Sequence, residues 1–105
     1  REDERIDFYT EGEAIINKIR AFNPSPLANI MIDDKEIKVI SAKYVKKNVN
    51  EVSKIVEIDK EKIGISCIDG IIYLNVVKPM GKNIMDIKSF LNGIDKEKYL
   101  GKKVN

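Results

Sequence analysis

A chain of 105 residues, 43% hydrophobic and 34% charged with a net charge of +2, has room for one small domain around one core. No apolar stretch approaches the ~18 residues of a membrane-spanning helix, and no basic start followed by an apolar run marks a secretory signal. One cysteine, Cys67, excludes an internal disulfide, and the absence of histidine removes the commonest general base and transition-metal ligand together.

Residues Arg1 to Asp7 are acidic, lack an apolar period and read as a solvated linker, and an arginine at position 1 points to a piece cut from a longer chain. Thr10-Glu11-Gly12-Glu13 has the spacing of a capping box, with the Thr10 hydroxyl and the Glu13 carboxylate closing on each other's backbone N–H. Ile15, Ile16, Ile19 and Phe22 follow at helical spacing, which predicts a helix to about Ala21 or Phe22. Asn23-Pro24-Ser25-Pro26 stops it, because proline withholds N–H groups and favours extended geometry before it.

The period then shortens to two. Leu27 to Ile32 is a predicted strand, Asp33-Asp34-Lys35 a tight turn, and Glu36 to Val45 a second strand. Ile37 and Val39 share one face while Ile40, Ala42 and Tyr44 take the other, so burying both sets needs a bulge near Ser41. A basic loop, Lys46 to Asn50, leads to a third strand over Val52 to Ile58 and a polar turn at Asp59-Lys60-Glu61-Lys62. Ile63 to Ile68 forms a fourth strand with Ile63, Ile65 and Cys67 facing inward, Cys67 as an inert buried thiol. Asp69-Gly70 has the signature of a type I′ hairpin before a fifth strand, Ile71 to Lys78, with Ile72, Leu74 and Val76 inward. After Pro79-Met80-Gly81-Lys82-Asn83, Asp86 is placed to cap a short helix, Met85 and Phe90 to staple it, and Gly93 to end it at C′. The tail, with Lys96, Lys98, Lys102 and Lys103, is expected to be ordered in part at most.

The sum is a mainly β domain with flanking helices: a small, partly open antiparallel barrel of about five to six strands, one N-terminal helix and one short C-terminal helix. Its charge is uneven. Two basic against six acidic residues leave −4 over positions 1–13, so the remainder carries +6. Only three of the basic residues are arginine, which favours point-charge contact with phosphate over bidentate base reading. Lys78 and Lys82 flank the Pro79–Gly81 turn at a barrel rim, and residues 35–47 gather Lys35, Lys38, Lys43, Lys46 and Lys47 against Glu36. Lys46 and Lys47 are the better placed pair there, since long side chains on a loop reach a ligand. Each of these lysines has solvation as its plainer role, and Arg20 has a helix C-terminus to serve. Exposed rings for stacking single strands are scarce, with Tyr73 and Tyr44 the only candidates, so a grip on the backbone of a folded RNA fits better.

Several segments carry more than a pattern. Ile6-Asp7-Phe8, Ile19-Arg20-Ala21-Phe22-Asn23-Pro24-Ser25-Pro26, Ile37-Lys38-Val39, Asp69-Gly70-Ile71-Ile72-Tyr73-Leu74, Lys78-Pro79-Met80-Gly81-Lys82-Asn83-Ile84-Met85 and Phe90-Leu91-Asn92-Gly93 resemble, in order, the C-terminal domain of methionyl-tRNA formyltransferases. Ahead of the third strand, Ser53-Lys54 stands where that family tends to Pro-Gly. The resemblance implies an oligonucleotide-binding-like barrel (residues 10–105) behind a linker (residues 1–9) from a catalytic N-terminal domain outside this sequence. It further implies an enzyme that moves a formyl group from 10-formyltetrahydrofolate to methionyl initiator tRNA in the cytoplasm, with folate and the catalytic groups held by the other domain. On that footing this domain has no catalytic residue, binds no cofactor or metal, and contacts the tRNA phosphate backbone through Lys82, Lys78, Lys46, Lys47, Lys43 and Arg20. Two alternatives stay open: the equivalent domain of a formyltransferase acting on nucleotide sugars or folate, without RNA binding, and a free-standing interaction module. Neither a membrane nor a metal is an expected partner.

Overall fold

The computed structural model describes residues 4–105. The elements run α1 (Gly12–Ala21), β1 (Ala28–Ile32), β2 (Lys35–Lys46), β3 (Ile55–Ile58), β4 (Ile63–Cys67), β5 (Gly70–Pro79), β6 (Met85–Asp86), α2 (Ile87–Asn92) and α3 (Lys96–Tyr99). The strands form one antiparallel sheet in the order β1-β2-β5-β4-β3, with β6 beside the distal part of β5. The mainly β architecture expected from the period-two runs is therefore the one observed.

The long β2–β5 ladder is the spine of the domain. Its register slips between Val39 and Ser41 and again between Ser41 and Ala42, where Ser41 faces Val76 and Ala42 faces Leu74. This is the bulge the sequence called for, and it lets Ile37 and Val39 on one side of it, and Ala42 and Tyr44 on the other, all turn to the interior. The slip also moves β5. Ile72 and Leu74 lie in the core as expected, but beyond the bulge it is Val77, fully buried, and not Val76 that points inward.

Edge strands β1 and β3 do not pair with each other; the C-terminal residues 101–105 sit between them. Gly101 donates its N–H to the Ile55 carbonyl (2.8 Å), Ile55 donates to Lys102 (2.9 Å), Val104 to Ser53 (2.8 Å) and Asn105 to Met31 (2.7 Å). Isolated bridges join Val104 to Ile32 and Lys103 to Lys54. The expectation of a loosely ordered tail is thus corrected: Val104 is completely buried, and α3 is a second short C-terminal helix. Tail ordering follows from the unmet hydrogen-bonding edges of two strands, which a local reading of a lysine-rich segment does not register.

The N-terminal segment is corrected in the same sense. Ile6 and Phe8 are fully buried, and Ile6 donates its N–H to the Asn29 carbonyl on β1 (2.8 Å), so this segment gives two side chains to the core, with Asp7 exposed between them. Residues 1–3 of that expected linker lie outside the described residues.

Helix α1 begins at Gly12 with Glu11 as its N-cap and no side-chain cap, so the Thr10–Glu13 box does not form. Instead Asp69 Oδ1, on the β4–β5 turn, accepts from the Gly12 N–H at 2.9 Å. A carboxylate brought from fifty-seven residues away does the same electrostatic work as a local cap. The hairpin also differs from its signature. Cys67 pairs with Gly70, so the two turn residues are Ile68 and Asp69, and none of Ile68, Asp69 and Gly70 has positive φ, which rules out a type I′ turn. Asp86 caps α2 as expected, accepting from the Ser89 N–H at 2.8 Å, whereas Gly93 ends the helix with φ of −94° and not in the left-handed region.

Candidate nucleic-acid interface

The β2–β5 register decides where the basic residues stand. Lys46 lies opposite Gly70 and Lys38 opposite Lys78, at the two ends of the ladder. Eight residues at about 3.3 Å each separate those ends by roughly 25 Å. Lys46 and Lys47 therefore stand apart from Lys78 and Lys82, and the structure sorts the four into two clusters.

At the first end, Lys46 and Lys47 line a shallow concavity with Asn48, Val49, Ile68 and Asp69. Asp69 organises this end. Besides capping α1 it receives the Cys67 thiol at 3.5 Å, and its carbonyl accepts from the Tyr44 hydroxyl (3.3 Å) and the Lys47 N–H (3.1 Å). The Gly12 N–H, more than any other contact, holds the Asp69 carboxyl below its ordinary range. Partial desolvation, and then the hydrogen bond with Asp69, push the Tyr44 phenol up to about 12, and burial raises the Cys67 thiol. Tyr44 is therefore held by the barrel and is no stacking platform.

Lys43 and Arg20 line a second shallow surface beside this end, between α1 and β2, with Glu13, Ile16, Asn17, Ala42 and Tyr44. Both are exposed, and neither makes a side-chain ion pair or hydrogen bond among the described residues.

Glu57, Gly64, Tyr73 and Lys43 occupy one row across β3, β4, β5 and β2 on the outer face. The Tyr73 ring covers Gly64, where an added Cβ would come within 2.9 Å of its Cε1, and its hydroxyl donates to Glu57 Oε2 at 2.7 Å. Lys62 pairs with the same carboxylate at 3.2 Å and sits 5.8 Å from the ring centroid, and Lys47 reaches Glu57 Oε2 at 3.9 Å. The Tyr73 hydroxyl leads in keeping the Glu57 carboxyl below its usual range, while desolvation and Glu57 raise Tyr73 to about 12. Tyr73 is thus committed to the sheet, like Tyr44. Because Glu57 is depressed in the fold, its contribution is present above the unfolded carboxylate pKa and fades as pH drops through the folded value. Tyr73→Phe should accordingly lower stability by about 1 kcal/mol at pH 7 and by progressively less as pH falls below the unfolded carboxylate range, as read from urea midpoints along a pH series.

At the second end, Lys78 and Lys38 face each other directly, both on the outer side because Val77, Pro79, Ile37 and Val39 point inward. Lys38 is a site residue that counting charges did not single out; the alternation around Ile37-Lys38-Val39 is the signal that places it outward. Lys82 follows Gly81, whose φ of +74° makes the turn, and its N–H closes that turn on the Pro79 carbonyl at 3.0 Å. Lys82 and Lys35 rim a groove of about 460 Å³ between this turn, the β1–β2 turn and the C-terminal helices, with Asp34 and Glu36 also on its lining. None of Lys35, Lys38, Lys43, Lys46, Lys78 and Lys82 has a carboxylate within ion-pair distance among the described residues, whereas Lys54, Lys62, Lys88 and Lys102 each do. Elsewhere acidic side chains are used in turns: Asp59 Oδ1 accepts from the Glu61 and Lys62 N–H groups, and Asp33 pairs with Lys102.

Comparison with known proteins places this geometry. A family model described as "Formyl transferase, C-terminal domain" matches residues 1–95. A methionyl-tRNA formyltransferase of Lactococcus lactis subsp. cremoris (strain MG1363) is 34% identical over 109 residues, covering 98% of this chain and 34% of that protein. One from Staphylococcus epidermidis (strain RP62A) is 36% identical over 103 residues, covering 97% and 33%. The chain spans about a third of the length of the curated relatives it matches. Among solved structures, a HypX variant from Aquifex aeolicus superposes with a TM-score of 0.66 at 17% identity, over 90% of this chain and 18% of that one, a likeness of fold. The chain belongs to the formyl transferase C-terminal domain family.

Proposed function

We propose that this chain is the tRNA-holding domain of a methionyl-tRNA formyltransferase, joined through residues 1–9 to a catalytic domain. Formyl transfer from 10-formyltetrahydrofolate to methionyl initiator tRNA would take place on that other domain, in the cytoplasm. The reading is supported by similarity to methionyl-tRNA formyltransferases along nearly the whole chain. The observation that carries the RNA contact is the set of six lysines without carboxylate partners among the described residues, split between the two ends of the β2–β5 ladder. Tyr44 and Tyr73 are tied by their hydroxyls, which leaves Tyr9 as a lone exposed ring, so these surfaces fit a phosphate backbone better than a stacked single strand. Binding is electrostatic, positions the RNA and reads little sequence.

For a contact that neutralises about four phosphates, log K should fall against log salt with a slope near −3 to −4. Filter binding of initiator tRNA across 50–300 mM salt measures it. A complex insensitive to salt, or none at high micromolar protein and low salt, overturns the proposal.

A further inference from the structure

Lys38 and Lys78 are direct cross-strand partners, and like charges in that position repel each other. A protein ordinarily relieves such a pair with a carboxylate from a neighbouring strand. Here the flanking strand offers Asn29, opposite Lys38, and beyond it Arg5, which bridges to Asn29 from the N-terminal segment. Arg5 Nε donates to the Asn29 Oδ1, and that is the only hydrogen bond of the Asn29 side chain among the described residues, although the residue is only 2% exposed. Glu36 shares the outer face, two residues along β2, yet pairs with neither lysine. The result is a row Arg5–Asn29–Lys38–Lys78 running across three adjacent segments. Neighbours in such a row are about 5 Å apart, so the three cations span on the order of 15 Å.

Resting on the RNA reading above, we infer that this row is the principal phosphate track of the domain: an RNA backbone lies across the outer face of β1, β2 and β5. Successive phosphates take the Lys78 and Lys38 ammonium groups and the guanidinium N–H groups of Arg5 that Asn29 leaves free. The backbone anion then supplies the counter-charge that the fold withholds. The lysine pair makes the free domain less stable than it could be and the bound domain tighter, a coupling that lysines serving solubility alone would not produce.

The test uses Lys38→Gln/Lys78→Gln against a charge-matched control, Lys60→Gln/Lys103→Gln, whose lysines are exposed and lie in the β3–β4 turn and the tail. Relief of repulsion should raise the melting temperature of the first variant by about 1–5 °C. Its affinity for initiator tRNA should fall about tenfold, with a salt slope shallower by about 1–2, while the control stays near the unaltered chain. Equal losses in both variants would mean that net charge alone is felt and would overturn the assignment. So would unchanged binding by the Lys38/Lys78 variant, or a lower melting temperature. In those cases the RNA reading itself stands, because the unaltered chain still binds; failure of the unaltered chain to bind tRNA refutes that reading and the track with it.

Discussion

Val104→Asp should remove most of the stability of the domain. Val104 is completely buried, and its neighbours Ile32 and Ser53 belong to the two sheet edges that the tail bridges. An aspartate there would be cut off from water, and a buried charge left unpaired lowers stability by about 3–5 kcal/mol. A domain of this length has on the order of 5–15 kcal/mol in total. The tail's hydrogen bonds would be lost along with the side chain's burial. Ser53 donates its hydroxyl to the Val104 carbonyl at 2.7 Å and sits with φ of +63°, and Met31 donates to Asn105 Oδ1 at 2.9 Å. Urea unfolding followed by circular dichroism gives the outcome directly. A midpoint within experimental error of the unaltered chain would mean that residues 101–105 do not close the sheet in solution.

Gly70→Ala should lower stability by about 2–4 kcal/mol, although Gly70 needs no special backbone conformation. A Cβ there would lie 2.2 Å from the Val45 carbonyl oxygen, 2.7 Å from the Tyr44 ring and 3.0 Å from the Lys46 Cα. Two of those three atoms are backbone, so β2 itself would have to withdraw from β5. The same movement would pull Asp69 from the Gly12 N–H and loosen α1. Gly81→Ala is the contrast: nothing lies within 4 Å of its Cβ position, and only its φ of +74° opposes alanine, for about 1 kcal/mol. Thermal melts of the two variants should therefore differ by several degrees. Equal melting temperatures would show that the β2–β5 contact at Gly70 is slack.

These two positions also mark where local reading stops. Strands β1 to β5, the bulge at Ser41, the Asp86 cap and a hairpin joining β4 to β5 are legible in short windows, because side-chain alternation and capping are settled by neighbours in the chain. The sequence reads Gly70 as a turn residue, yet it is the first residue of β5, and its reason is steric and comes from a strand twenty-five residues earlier. The cap of α1 was assigned to Thr10 and Glu13 because they are near; Asp69 supplies it because the fold brings it nearer. Ile6 and Phe8 were set aside as linker for want of a period, which two residues cannot show.

For the candidate interface, composition was sufficient to find the lysines, and the ordered sequence blocks carried the resemblance to the family. Their division into two clusters was not readable, since it depends on which residues of β2 and β5 lie opposite one another. Sequence alone determined that this is a small, lysine-rich, mainly β domain of the formyl transferase C-terminal family, because those properties live in local pattern and composition. Tertiary structure alone decided that Lys38 faces Lys78, that Asp69 caps a distant helix and that the tail fills the gap between β1 and β3. Each of those depends on strand register, and register is set by long-range packing of the two faces rather than by any neighbour in the chain.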